Sequence, residues 1–271
     1  MPELPEVETV RRVLIKDLVN LKITDVIIKY DGIIDMDNDL FKSSVIGKTI
    51  KNIDRYGKYL IFNLNEGNII SHLRMEGKYF YLPNDGIDNK HIHVIYKFDN
   101  GYSLFYQDVR KFGKMIYKEN NELFSTNPLK NIGIDPILTK KIDYRLIYDK
   151  IVSRNVAIKT TLLDQSIITG LGNIYVDEVL FEAKINPHRP SNSMSFEDVK
   201  HICDASVEIL SKAIEYKGTT IRSYTSSLGV EGQYQQFLKV HTKKICSICK
   251  STLNCDKING RTTYYCENCE R

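Results

Sequence analysis

"CSICKSTLNCDKINGRTTYYCENC" (246–269) holds two Cys-x2-Cys pairs, Cys246/Cys249 and Cys266/Cys269, with sixteen residues between them. A two-residue spacing lets one tight turn aim both thiolates at the same ion, and two such knuckles complete a tetrahedral sphere. Asn259-Gly260, inside the interval, has the tolerance of positive φ that a two-residue hairpin turn requires. The stretch therefore reads as a zinc ribbon. Four protein ligands close the sphere, which implies one structural zinc ion per chain and not a catalytic one. Disulfides or free thiols are the competing reading of the same cysteines. Cys255 is expected as an exposed thiol that is not a ligand, and Cys203 as a small buried apolar residue on a helix. Ribbons bind DNA, RNA or protein, so the partner has to be read from the rest of the chain.

That chain has 271 residues, 42% hydrophobic and 27% charged, which is globular and large enough to bury one or two cores. Five of its six cysteines lie in the last 26 residues, which argues against a disulfide framework spread through a secreted fold. No apolar run is long enough for a membrane span and no signal peptide is recognisable, so a soluble, cytoplasmic protein is expected. The net charge of +4 is too small to define a polyanion binder, and any basic face must be local.

Residues 22 to 120 read as strands and turns. "KYLIFNL" (58–64), "NIISHLRM" (68–75), "HIHVIYKF" (91–98) and "YSLFYQDV" (102–109) are rich in β-branched and aromatic residues, and "NEG" and "DNG" punctuate them as hairpin turns. "STNPLKNIGIDP" (125–136) reads as a linker. Beyond it the period becomes helical, in "YRLIYDKIV", "IKTTLLDQSII", "GNIYVDEVLFEAKI" and "FEDVKHICDASVEILSKAIEY". The fold class is α+β: an N-terminal antiparallel β-sandwich (1–122), a linker (123–139), a helical domain (140–239) and the ribbon (240–271).

The N-terminus "MPELPEVETVRR" begins a helix near Pro5, with Val7, Val10, Leu14 and Leu18 on one face and Glu3 and Glu6 at its positive end. Pro2 has no capping role there. A frayed terminus would explain it. So would removal of Met1, which exposes a secondary amine able to attack a sugar C1′ and form an iminium ion with no N–H to lose. Gly170 and Gly172, ahead of Asn173, read either as a helix–helix turn or as an anion cradle, with Arg154, Lys159 and Lys184 nearby favouring DNA phosphate. Met75 and Phe112 read as core or, beside Arg110, as wedges that fill the space left by an everted base. His91 and His93 alternate, and both are expected on one face of a strand.

Together "MPELPEVETV", "GKYL", "SHLRMEGK", "HIHV", "DVRKFGK", "IKTTLLDQSIITGLGNIYVDEVLF", "GTTIRSY" and the terminal cysteine pattern closely resemble the formamidopyrimidine-DNA glycosylase family, bacterial base-excision enzymes for oxidised purines. The resemblance runs from Met1 to Arg271. It implies a helix–two-turn–helix DNA-binding domain beside the sandwich, with DNA in the cleft between them. It implies Pro2 as nucleophile, Glu3 as general acid, Lys58 as a further proton donor and phosphate contact, and Arg261 in a second elimination. Met75, Arg110 and Phe112 match the trio that enters the duplex; His91, Arg110 and Asn173 match phosphate contacts. A basic family position falls at Asn155, with Arg154 beside it. "KGTTIRSY" (217–224) matches a loop over the extruded base, with Lys217 and Ser223 departing from the usual residues. The implied activity is a glycosylase and lyase on double-stranded DNA with oxidised bases or abasic sites. The implied protein is a monomer, cytoplasmic and nucleoid-associated, with no membrane partner. An endonuclease VIII-type enzyme for oxidised pyrimidines is the alternative, and a non-catalytic damage binder the more distant one.

Overall fold

A computed structural model describes residues 1–87, 89–219 and 232–271. Two units emerge from it. The first comprises Met1–Pro2 and Glu6–Lys130, joined by Thr219 and Gly232; the second comprises Glu3–Pro5, Asn131–Gly218 and Gln233–Arg271.

The first unit holds most of helix α1 (Leu4–Leu18) and two four-stranded antiparallel sheets. One sheet has the order β1-β6-β7-β5, from Ile23–Ile28, Ile92–Phe98, Tyr102–Gln107 and Lys78–Pro83. The other has the order β2-β3-β4-β8, from Ile50–Tyr56, Tyr59–Leu64, Asn68–His72 and Lys114–Lys118. Val7, Val10, Leu14 and Leu18 of α1 share one core with Ile53, Leu60, Phe62, Tyr79, Val94 and Tyr106 of the strands. The helical spacing of those four residues puts them on the single face that this burial uses. All five residues of β4 are buried, so its polar members need internal partners: the Ser71 hydroxyl meets Tyr79 Oη at 2.7 Å.

Three features depart from the sequence reading. Residues 38–45, expected among strands and turns, form α2 (Asn38–Val45). Asp37 caps it by accepting from Leu40 N at 2.8 Å, and Phe41 and Val45, four apart, fill the core. His91 and His93 are not alternating positions of one regular strand. β6 starts at Ile92 with a register shift before Val94; His93 is buried and donates through Nε2 to Asp108 O at 2.8 Å, while His91 is half-buried. "IKTTLLDQSII" is helical only in α4 (Ile158–Leu162). Asp164 turns the chain by accepting from Ser166 N, and Gln165 then bonds the carbonyls of Leu163 and Leu171.

The second unit packs α3 (Tyr144–Val152), α4, α5 (Asn173–Ala183) and α6 (Phe196–Glu215) around an apolar cluster that also takes Leu4. Asp143 caps α3, and Ser195 with Asp198 forms a capping box on α6. β9 (Asn254–Ile258) and β10 (Arg261–Tyr265) pair through the turn Asn259-Gly260, whose φ angles of 47° and 73° are those the hairpin requires. Among the described residues no helix is long and apolar enough to cross a membrane.

Candidate active site

In the second unit the carboxylate of Glu3 sits at the start of α5. It accepts from Gly172 N at 2.6 Å, Ile174 N at 2.9 Å and Tyr175 N at 3.4 Å, and the residue is 2% exposed. The free N–H groups of a helix start attract an anion. The place that one of the two readings gave to a phosphate is thus occupied, for these three donors, by a carboxylate of the chain itself. Both glycines have a steric reason. A Cβ on Gly172 would lie 2.3 Å from Glu3 Cδ; one on Gly170, whose φ is +101°, would lie 2.4 Å from a Leu4 methyl. Leu4 N also donates to Gly170 O at 3.1 Å. "TGLG" is therefore a seat for residues 3 and 4, which the sequence reading missed. Its signal was two glycines flanking a buried leucine.

In the first unit Pro2 is buried, and Glu6 accepts from Thr219 N at 2.7 Å and from its hydroxyl at 3.2 Å. Lys58 follows Gly57 in the two-residue turn between β2 and β3 and is 4% exposed. Arg55 holds this turn by donating to Gly57 O at 3.0 Å and to Glu8 Oε2 at 3.1 Å. Burial alone would raise the Glu8 carboxyl; hydrogen bonds and charge from Arg11, Arg12 and Arg55 bring it down to about 2. His72 pairs in register with Tyr59 and accepts from Arg74 N at 2.9 Å. Burial first, and the neighbouring charges of Arg74 and Lys58 second, push its imidazole down to about 3. His72 is therefore neutral in any working buffer.

Asp108 organises the loop after β7. Its carboxylate accepts from Arg110 N, Phe112 N and Gly113 N at 3.0, 2.9 and 2.8 Å. The loop presents an exposed Arg110 with its guanidinium 4.9 Å from the ring of Phe112, which is 50% exposed. Met75 is half-buried on the turn after β4. An exposed aromatic edge beside a cation is a surface that stacks on bases.

The four ribbon thiols lie within 4.8 Å of one another, with Cys246 Sγ 3.8 Å from Cys269 Sγ and Cys249 Sγ 3.4 Å from Cys266 Sγ. Those separations are far beyond a disulfide of about 2.05 Å. They suit the edges of a tetrahedron with metal–sulfur bonds of about 2.3 Å. The four residues fit a structural metal ion. Cys255 is exposed and outside the cluster, and Cys203 is buried.

One DNA contact expected from the sequence is corrected. Lys159 has no exposed surface. Its ammonium donates to Asp177 Oδ1 at 2.7 Å, Thr262 O at 3.0 Å and Thr263 Oγ1 at 3.0 Å. It cannot reach a phosphate; it ties α4 and α5 to β10. Asn173 joins it by donating from Nδ2 to the same Thr262 carbonyl at 2.8 Å. Asp177 also meets His241 Nδ1 at 2.8 Å, and Glu178 accepts from the backbone N–H groups of Lys239, Val240 and His241. Arg261, next to Thr262, is exposed. Arg154 is half-buried on Asp164 at 2.7 Å, and Asn155 is exposed. Lys217 closes the turn after α6 with φ 61°; Ser223 and most of "KGTTIRSY" lie outside the described residues.

A two-sheet unit, a helical unit and a four-cysteine ribbon define the class of protein, and comparisons narrow it. The model of the formamidopyrimidine-DNA glycosylase N-terminal domain matches residues 1–115, and that of the formamidopyrimidine-DNA glycosylase H2TH domain matches residues 132–225. The formamidopyrimidine-DNA glycosylase of Streptococcus pneumoniae (strain ATCC BAA-255 / R6) is 41% identical over 273 residues, covering 100% of this chain and 99% of its own. The solved complex of Lactococcus lactis Fpg with DNA containing an abasic site is 40% identical and superposes with a TM-score of 0.92 over 99% of each chain. A Lactococcus lactis mutant bound to Fapy-dG containing DNA gives 0.93 at 40% identity over all of both chains. The chain belongs to the formamidopyrimidine-DNA glycosylase family.

Proposed function

We propose that this chain is a base-excision enzyme that removes oxidised purines, 8-oxoguanine and formamidopyrimidines, from duplex DNA and then cuts the strand. Support comes from its full-length relatives, named as formamidopyrimidine-DNA glycosylases, and from neighbours that hold abasic-site or Fapy-dG DNA. The observation that carries the chemistry is the seat of Glu3: a buried carboxylate, oriented by three N–H donors, one residue from Pro2.

Removal of Met1 makes the Pro2 nitrogen a secondary amine. The Glu3 carboxylate accepts the proton of the prolyl ammonium. The amine lone pair then attacks C1′, and the bond from C1′ to the damaged base breaks with its electrons leaving on the base, which takes up the proton that the nitrogen sheds after attack. Glu3 returns the proton to O4′ as the sugar ring opens, and nitrogen donates its pair to form the iminium. That cation acidifies C2′–H; loss of this proton expels the 3′ phosphate. A second elimination expels the 5′ phosphate. Hydrolysis of the imine frees Pro2. Lys58 supplies a proton and a phosphate contact, and Arg261 serves the second elimination.

Met75, Arg110 and Phe112 enter the duplex, while His91, Arg154, Asn155 and Asn173 lie along the DNA backbone. The cysteine cluster holds zinc, which fixes the ribbon. The protein acts as a monomer in the cytoplasm, with domain limits at 122, 139 and 239.

Borohydride trapping on a duplex with 8-oxoguanine opposite cytosine tests the reading. A covalent adduct is expected, lost in Pro2→Gly, together with an intact mass lacking Met1. Strand cutting by protein that retains Met1 overturns it. Faster cutting of thymine glycol than of 8-oxoguanine would move the substrate to oxidised pyrimidines.

A further inference from the structure

We propose that the first unit carries a second phosphate site, a cavity built on Lys29, Lys90 and Lys111 that takes one inter-nucleotide phosphate of DNA. The DNA occupant rests on the glycosylase reading; the anion site does not. The cavity has a volume of about 410 Å³, and Tyr30, Asn89 and His93 complete most of its wall. Among the described residues no carboxylate lines it. The chain has 34 acidic residues against 38 basic ones, so three lysines lining one hollow are a local arrangement and not a consequence of bulk charge.

The arrangement is built rather than incidental. Lys29 and Tyr30 leave the end of β1, and Lys90 and His93 flank the start of β6, the neighbouring strand; Lys29 N donates to His93 O at 2.8 Å. The third lysine comes from the loop hung on Asp108. Lys111 has φ 59°, a left-handed conformation that lysine rarely adopts. Its ammonium lies 4.5 Å from the centroid of the Tyr30 ring, which is itself 5.5 Å from that of His93. Because Nε2 of His93 donates to Asp108 O, the aromatic floor and the loop are one hydrogen-bonded piece.

A single loop therefore presents Arg110 and Phe112 together and places Lys111, the residue between them, in the cavity. When the first pair engages the bases, the adjoining backbone passes within reach of three lysines. Ammonium groups on flexible stems act as point charges and suit phosphate oxygens without demanding one orientation.

The test measures binding to a duplex with a tetrahydrofuran abasic analogue as a function of salt. Each phosphate contact contributes about 0.9 to the slope of log affinity against log salt. Lys29→Gln/Lys90→Gln should lower the slope by about 0.9, the share of that one phosphate, which is about threefold in affinity change between 50 and 200 mM salt. Lys90→Arg should restore its share. Lys16→Gln/Lys51→Gln, at two exposed positions on α1 and β2, is the control of equal charge change. A methylphosphonate scan should find one phosphate whose neutralisation weakens the wild type and not the double variant. A slope equal to the control, or no such phosphate, overturns the proposal.

Trapping at Pro2 reports separately on the enzyme. An untrapped wild type that still loses slope in the double variant keeps the cavity and drops the glycosylase. A wild type that ignores duplex, but is thermally stabilised by inorganic tripolyphosphate through these lysines, overturns the DNA occupant.

Discussion

Gly172 is the residue on which the seat of Glu3 turns, because any side chain there would occupy the place of the Glu3 carboxylate. Gly172→Ala puts a methyl 2.3 Å from Glu3 Cδ, and the carboxylate must leave its three N–H donors. If Glu3 is the general acid proposed above, its displacement costs about 10²-fold or more, so single-turnover base release should fall by that factor while the loop hung on Asp108 is untouched. Release at the wild-type rate would show that the seat is not needed. At the terminus Pro2 read either as a frayed end or as a secondary amine, and the roles of Pro2 and Glu3 came from the resemblance that runs through the whole chain. The seat was not legible. Residues 3 and 172 are far apart in the chain, and two glycines look alike whether they cradle a phosphate or a carboxylate. Lys159 shows the same limit from the other side: its charge suggested DNA, and only burial reassigns it.

At the scale of elements, α5 is the organiser of the helical unit. Its N-terminus holds Glu3, and its second turn buries Asp177 and Glu178, which tie down β10 and the approach to the first knuckle. Burial lowers the Lys159 ammonium, and the Asp177 carboxylate opposes that shift. Removing one partner strands the other charge, which costs about 3–5 kcal/mol; replacing both is near neutral. Lys159→Met should lower the thermal midpoint, and the Lys159→Met/Asp177→Leu pair should recover much of it. With β10 loosened, Arg261 is misplaced, so the product mixture of Lys159→Met should shift from the doubly eliminated end to the singly eliminated one. An unchanged ratio on a sequencing gel would separate the buried pair from Arg261. The limits of α3, α5 and α6 were readable because helical period and glycine or proline punctuation agree there. α2 and the short α4 were not, because one capping aspartate or one Asx turn decides them and both signals are common in loops.

For the molecule as a whole, pH dependence of stability should centre on His72. Its folded imidazole is pushed down to about 3 from an ordinary 6.5, so between those values the unfolded chain binds a proton that the folded chain refuses. Stability is full above pH 6.5 and falls as pH drops through the window. The expected loss is about 1.4 kcal/mol from pH 7.5 to 5.5 for this group alone. Urea midpoints across that range should show it, and His72→Gln should flatten the trend; a wild-type slope in the variant would refute the assignment.

What the amino-acid order determined unaided was the set of local decisions: helix faces, capped ends, the hairpin turn of the ribbon, the four thiols and the prolyl–glutamate terminus. Each depends on residues a few positions apart, where sterics and hydrogen bonding act within one turn or one strand. What only the tertiary structure decided was which charges are buried and which are met by a distant partner. Glu3 on Gly172, Lys159 on Thr262 and His93 on Asp108 O are choices between water and a protein donor or acceptor, and desolvation is set by chain segments that sequence distance does not order.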